Sequence, residues 1–515
     1  MRRAVRKAGR LAMTTTSHEQ WRPTLLLTRS FITDYVRNPV NLIMLVLVPL
    51  VFVLVAAGSI ADAMQLLRGR PGMATQIVTA GWAAGFLSGL AMYFQICSAR
   101  AADKRLLLAG LPPTRLLAAR AGTGLLMAAL VSAVALVALA ARTGIDHPGR
   151  VIIGTLMFAL IYLAIGALVA VAVANPVNGA VVILLIWLLD VFVGPAGSGG
   201  DYVFTRWFPT HFVTLWMADT PSHHAGRLGD LGLALVWVVG SLAVAGAVVA
   251  TGSHTAGQRQ RSAGQLLTAL QLGLVDLRRN AVLLALLVIV PAAFVLLSRA
   301  TTPGRPIPVA VKENGVTSNQ PFWFPDIHGG VMAPIGIGAL AALVGMFVVV
   351  DAAGGDHRLH QAGYRTGVVL AARLGVVAVA AVVITVATMA VTATVFDAKQ
   401  WAGYAGANLL VAVTYALIGV IVGPLLGKVA GVFVAFLIPF LDLGIIQSPM
   451  LRPEPQEWAR FLPGYGVTKV LFDTGLTVHF DETGPLLMGF AWLIGLLILA
   501  GLVLSRGHPV RARIS

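Results

Sequence analysis

Charge is scarce in this sequence. Only 11% of its 515 residues are Asp, Glu, Lys or Arg, against roughly 25% in a typical soluble domain. With 57% hydrophobic residues and a mean hydropathy of +0.84, that shortage excludes a water-soluble globule. Cysteine is scarcer still. Cys97 stands alone, which excludes an intramolecular disulfide. The strings that usually carry chemistry are missing as well. No GxxxxGK[ST] phosphate loop occurs, and the nearest string, from Gly423 to Lys428, has the wrong spacing and lies between two apolar runs. There is no HExxH, GxSxG or CxxC. His223 with His224, and His357 with His360, are the only close histidine groupings. They read as solvated rather than metal-binding. No catalytic residue and no metal site is therefore assigned. The chain is read as a non-enzyme that binds no cofactor of its own.

What the sequence has is long apolar runs. Crossing about 30 Å of hydrocarbon takes roughly 20 apolar residues at 1.5 Å each. Twelve such spans are predicted near 39–60, 75–98, 116–141, 151–174, 177–196, 229–251, 281–299, 331–351, 366–395, 405–426, 428–446 and 485–505. Their interiors, rich in Val, Leu, Ala and Gly, show no period of two, which argues for helices over a transmembrane barrel. The expected fold is all-α, a polytopic membrane protein.

The formal charge is +16, and its placement orients the chain. With the amino terminus inside, 24 of the 37 Lys and Arg fall on the inner side. This asymmetry is the positive-inside signal, and it puts both termini in the cytoplasm. Because the positive charge flanks membrane spans, it points to anionic lipid headgroups rather than to nucleic acid.

Three stretches recur in the same order. Asp34, Arg37, Asn38, Pro49 and Phe52 fall on Asp276, Arg279, Asn280, Pro291 and Phe294, 242 positions later. Asp103, Arg105, Gly110, Arg120 and Gly122 fall on Asp356, Arg358, Gly363, Arg373 and Gly375, at an offset of 253. Arg206, Pro209, Thr214 and Asp219 fall on Arg460, Pro463, Thr468 and Asp473, at 254. Charges, prolines and glycines match, where apolar low complexity cannot mislead. The chain therefore divides into a tail at 1–21, a six-span unit at 22–251, a polar linker at 252–263, a second six-span unit at 264–505 and a tail at 506–515. An even number of spans per unit makes the two units parallel. The step in offset locates an insertion at 300–330, an external loop whose Phe322, Trp323 and Phe324 suit an aromatic anchor at the membrane surface.

Each unit repeats the same parts. Residues 22–38 suit a helix lying in the membrane interface, where Asp34 and Arg37 can pair. Pro49 and Pro291 are expected to kink spans 1 and 7. The segment after span 2, with Asp103, Lys104 and Arg105, suits a short amphipathic helix facing a soluble partner; Asp356, His357 and Arg358 repeat it. The plainer reading is positive charge that only orients the chain. Asp190 and Asp442 sit late in the fifth span of each unit, with Trp187 nearby. A carboxylate at membrane depth needs a partner, water or a proton. The two aspartates are either part of a substrate path or interfacial groups that reach water. The segments around Pro209 and Pro463 are too short to span, and suit a re-entrant or surface-lying helix.

These parts in this order resemble the ABC type 2 permease family. The resemblance rests on the interfacial helix, a first span opening on Arg37-Asn38-Pro39 and reaching Pro49, the charged segment after the second span, and the short helix between the fifth and sixth spans. It covers nearly all of both halves. Ordinary members have one six-span unit and pair up, so this chain is similar to a fused pair, like the larger actinobacterial permeases for drugs and polyketide antibiotics. The resemblance implies a bacterial plasma-membrane exporter of small amphiphilic molecules. It implies two copies of a separate cytoplasmic ABC ATPase, which hold ATP and Mg. Their contact residues would be Asp103, Lys104, Arg105, Asp356, His357 and Arg358. Asp190, Asp442 and Trp187 would lie on the substrate path, and no nucleic acid would take part. The alternative is a proton-coupled secondary transporter of the major facilitator type, of which Asp103-Lys104-Arg105 carries only a motif fragment.

The orientation is testable in a Cys97→Ser background. Cysteines at Ser17 and Ser515 are expected to resist a membrane-impermeant maleimide in intact cells and to react after permeabilisation. A cysteine at Ser318 is expected to react in intact cells.

Overall fold

The computed structural model describes residues 28–29, 31, 33, 39–66, 73–109, 111–173, 175–198, 201, 203–219, 222, 226–251, 281–361, 366–449, 451 and 454–506. The interfacial-helix pairs Asp34–Arg37 and Asp276–Arg279, the linker at 252–263, Gly110, Gly363 and both tails lie outside these residues.

Among the described residues, 11 continuous helical stretches are long and apolar enough to cross a membrane. One of them, Trp401–Ile446, has 46 residues. As one rod it would measure about 69 Å, more than twice the hydrocarbon thickness. It is broken at Gly427, whose φ of 73° and ψ of −176° are not helical. An L side chain is strained at such a φ, and glycine is not. The chain turns back there: a Cβ on Gly431 would lie 3.8 Å from the Gly423 Cα. The stretch is thus spans 10 and 11, and the twelve expected crossings are present. The others run Leu42–Ala63, Thr75–Arg100, Arg115–Thr143, Pro148–Ala172, Pro176–Val193 and Leu228–Ala247, then Val282–Thr301, Phe324–Asp356, Gly367–Thr392 and Thr483–Leu504.

Corresponding spans are buried alike. Spans 2 and 8 are 94% and 89% buried, whereas spans 6 and 12 are 22% and 17% buried. Each half therefore has its second span at the centre and its sixth at the rim. The central spans are fixed by missing side chains. A Cβ on Gly166 in span 4 would run into the carbonyl of Gly89 in span 2, and one on Gly419 in span 10 would run into that of Ala342 in span 8. Both positions recur at an offset of 253. Without side chains between them the two backbones touch, which is how helices gain dispersion energy in lipid. Gly85 and Gly338, also 253 apart, receive the rings of Tyr162 and Tyr415.

The prolines act differently in the two halves. Pro49 lies in the helix Pro39–Val51 and is followed by a π turn at Phe52–Ala56. Pro291 sits inside the uninterrupted helix Ala281–Thr301. The second π turn, Asp442–Ile446, instead follows Pro439 of span 11. A proline lacks the N–H for the regular ladder, and a π turn is one local repair.

Three further expectations are corrected or narrowed. The segment carrying Asp103 is not a separate helix, because Met73–Leu108 is one rod of 36 residues. Only in the second half does a turn at Asp351 and Ala352 separate span 8 from the helix Ala353–Gln361. The insertion at 300–330 is not an irregular loop. It forms an antiparallel hairpin of β1, Pro306–Glu313, and β2, Val316–Trp323. Asn314 and Gly315, at φ 54° and 78°, make its tight turn, and Asn-Gly is the pair that such turns favour. Val309 and Val311 of β1 are buried against Ile327 and Val331 of span 8. Phe324 is buried at the start of span 8, and only Trp323 of the three aromatics is exposed. The helix after Pro209, His211–Met217, is buried at every residue, so of the two placements expected it is the one inserted into the bundle and not the surface-lying one.

The β hairpin marks one end of the bundle, here the hairpin end. Between the halves, span 5 packs on span 7, and span 1 packs on the helix carrying spans 10 and 11. Exchanging first-half spans for their second-half equivalents turns one contact into the other.

Alanine at Gly166 or Gly419 is expected to destabilise the fold by about 1–3 kcal/mol, the range for overpacking. Thermal unfolding in detergent measures it, with Gly240→Ala, whose Cβ would meet nothing, as the neutral control.

Candidate functional site

The late aspartates are each held through Oδ2, while the buried Asp190 Oδ1 has no hydrogen-bond partner. In the first half, the Tyr162 hydroxyl of span 4 donates to Asp190 Oδ2 at 2.8 Å. The Thr210 hydroxyl, just before the inserted helix, donates to the same oxygen at 2.6 Å. In the second half, Tyr415 donates to Asp442 Oδ2 at 2.7 Å, and the Gly464 backbone N–H donates at 2.8 Å. Gln447 adds a contact to Oδ1 at 3.4 Å. Tyr162 and Tyr415 are 253 apart, and Thr210 and Gly464 are 254 apart. Each carboxylate thus ties three elements of its half together: the fourth span, the fifth span and the inserted helix. The third donor differs for a steric reason. A Cβ at Gly464 would stand 2.6 Å from Asp442 Oδ1, so the backbone itself takes the place of the threonine hydroxyl.

Asp190 and Asp442, at 3% and 4% exposure, do not reach water, and neither lines the main cavity. Trp187 does. That cavity lies between the halves at the hairpin end and holds about 760 Å³ of space, its open mouth included. Its wall is apolar, formed by Ile60, Trp187, Phe192, Phe294, Ile335 and Phe440 among others. The polar side chains in it are Ser59, His328 and Ser448. His328 Nδ1 meets the Thr302 hydroxyl at 2.6 Å, while the buried Ser448 hydroxyl has no hydrogen-bond partner.

Aromatic rings close the seam next to the cavity. Trp187 packs on Phe52, Phe86 and Phe436 at centroid distances of 6.1, 5.0 and 5.8 Å. Phe86 meets Phe433 at 5.7 Å, and Phe52 meets Phe440 at 6.5 Å. Phe192 and Phe294 pair at 6.0 Å across the other contact between halves. Edge-to-face and offset contacts at these distances are favourable by about 0.5–1.5 kcal/mol each beyond area burial. The Trp187 indole N–H is fixed by the Trp82 carbonyl at 3.0 Å.

At the opposite end, the acidic residues of the two charged segments point inward. Asp103 pairs with Arg120 at 2.6 Å, and Asp356 pairs with Arg373 at 2.7 Å. Both pairs join residues 17 apart, and so fasten the end of the second or eighth span to the start of the next. The Arg120 guanidinium also lies 3.7 Å from the Phe31 ring centre. Lys104, Arg105 and Leu108 remain exposed. The side chains of His357 and Arg358 lie outside the described residues. Lys428, next to the Gly427 break, pairs with Asp351 at 2.6 Å, and no equivalent exists in the first half, where Asn175 and Ser98 hold those positions.

Sequence reasoning picked out the two aspartates but missed Tyr162 and Tyr415, His328, and the cluster at Asp201. There Arg206 and His211 both approach Asp201 at 3.2 Å. The constant offset of the tyrosines was a usable signal; the Asp201 cluster, which is not repeated, left none. Among the described residues, no three His, Cys, Asp or Glu side chains converge on one point.

Residues 60–251 match the family model described as ABC-2 family transporter protein, which supports the resemblance to ABC type 2 permeases. No curated protein matches the chain.

Phenylalanine at Tyr162 or Tyr415 removes one of the donors to a buried carboxylate. Each change is expected to cost about 1–3 kcal/mol, the penalty for an unmet buried group, read as a lowered unfolding midpoint.

Proposed function

We propose that the chain is the complete transmembrane part of an ABC exporter, two fused permease units that move lipophilic or amphiphilic molecules out of a bacterial cell. The ABC-2 match over 60–251 supports an ABC transporter membrane subunit. The observation that carries the finer reading is the apolar cavity between the halves, with its aromatic seam. An apolar, aromatic wall with few polar groups is the kind of lining that suits a lipophilic ligand.

Energy comes from two copies of a separate cytoplasmic ATPase, which hold ATP and Mg, and both termini share their side of the membrane. Lys104, Arg105 and Leu108 are exposed at the tip of the rod Met73–Leu108. That rod also carries Trp82 and Phe86, which contact Trp187. A push at its tip therefore reaches the seam without passing a hinge. Asp103 and Asp356 serve this coupling by anchoring the charged segments. Asp190 and Asp442 hold the hairpin-end helices in place and act on the path indirectly, whereas Trp187 lines it. The second rod is interrupted at Asp351, so the two ATPase contacts transmit unequally.

The reading is tested in inverted membrane vesicles containing the chain and its ATPase, with a lipophilic fluorescent dye as probe. ATP-dependent dye accumulation is expected. Trp187→Ala and Phe440→Ala are each expected to change its rate at least threefold while the ATPase still co-purifies. Accumulation driven by a proton gradient without ATP would sink the proposal.

A further inference from the structure

A second pocket lies at the hairpin end, under β1 and beside the helix Pro463–Leu476, with about 630 Å³ of space including its mouth. Unlike the cavity between the halves, it is lined by charge: Lys312, Glu454, Lys469 and Glu482. Lys469 and Glu482 are half-buried, face the same space, and take part in no ion pair among the described residues. Lys312 donates to the Asp481 carbonyl at 3.2 Å, and an ammonium has three donors, so two remain. Asp473 is already committed, accepting the backbone N–H groups of Asp481 at 2.8 Å and Glu482 at 3.3 Å. Thr468, 9% exposed, also lines the pocket, and its hydroxyl has no hydrogen-bond partner.

Buried polar groups normally have partners. Here burial outweighs the two lysines and pushes the Glu482 carboxyl above its usual value. The pocket thus brings together a half-buried carboxylate and ammonium that form no ion pair with each other and a buried hydroxyl without a partner. The first half has no equivalent. Leu215 stands where Lys469 is, and among the described residues the β hairpin that roofs the pocket occurs once.

We propose that this pocket binds a small dipolar ligand, with an ammonium and a carboxylate a few bonds apart, of the amino acid or dipeptide class. Lys469, with Lys312, receives the ligand carboxylate. Glu482, with Glu454 at the mouth, receives the ammonium. Thr468 supplies a hydrogen bond. The site is separate from the apolar cavity and does not depend on the exporter reading.

The test is titration calorimetry on the full chain in nanodiscs, without ATPase, with glycylglycine as the probe. Saturable binding of one dipeptide per chain is expected. Acetylglycine, which lacks the ammonium, and glycinamide, which lacks the carboxylate, are expected to bind at least tenfold more weakly. Lys469→Gln and Glu482→Gln should each weaken glycylglycine at least tenfold, with an unchanged unfolding midpoint. Thr468→Val, which keeps the shape, should weaken it severalfold. The proposal is overturned by the absence of saturable binding to the wild type, by equal binding of the single-charge probes, or by unchanged binding in Lys469→Gln and Glu482→Gln.

Discussion

The structure depends on two places where helix backbones touch: Gly89 with Gly166, and Ala342 with Gly419. In a bilayer no hydrophobic force draws one apolar helix to another, because lipid tails are as apolar as leucine. Association must come from close packing and polar bonds. The missing side chains at Gly166 and Gly419 let spans 2 and 4, and 8 and 10, approach closely. That contact fixes the height of Tyr162 and Tyr415, which stand four residues before each glycine. From there the hydroxyls reach Asp190 and Asp442. The aspartates in turn hold Thr210 and Gly464, and with them the inserted helices. Packing and polar bonding thus form one chain of dependence, made twice.

A rigid half is useful only if something can move against it. The seam between the halves is made differently from their interiors. It uses large rings rather than small residues, and its contacts are edge-to-face and offset rather than backbone on backbone. Such contacts survive a slide or rotation better than a glycine crossing does, because a ring that leaves one neighbour can meet another. The cavity beside the seam shows that the rings do not fill it completely. The continuous rod Met73–Leu108 links that seam to the opposite end of the bundle.

Much of this was legible in the sequence, and the rest was not for definite reasons. Crossing number follows from apolar length. Even the fused stretch Trp401–Ile446 was read as two spans, 405–426 and 428–446, and the structure breaks it at Gly427 between them. Asp190 and Asp442 stood out because charge is rare at membrane depth. Their tyrosine partners did not, because a tyrosine in an apolar run draws notice only through its repeat 253 positions later. The β hairpin was read as a loop: its strands alternate weakly, with Pro306, Pro308 and Pro321 interrupting the pattern. Of the residues expected on the substrate path, Trp187 lines the cavity and the two aspartates do not. Sequence placed Trp187 and Asp190 three positions apart in span 5 and Asp442 at the matching place in span 11, but side-chain direction separates Trp187 from the aspartates.

The central claim is that two stiff halves move against each other across the aromatic seam when an ATPase works at the end opposite the β hairpin. Spin labels on cysteines at Asp62 and Trp458, in a Cys97→Ser background, lie on different halves at the hairpin end and outside the cavity wall. Pulsed dipolar spectroscopy measures the distance between them in nanodiscs that contain the ATPase. The account predicts one distance distribution without nucleotide and a displaced one in the ATP–vanadate trapped state. An identical distribution in both states, with ATP hydrolysis intact, would contradict it.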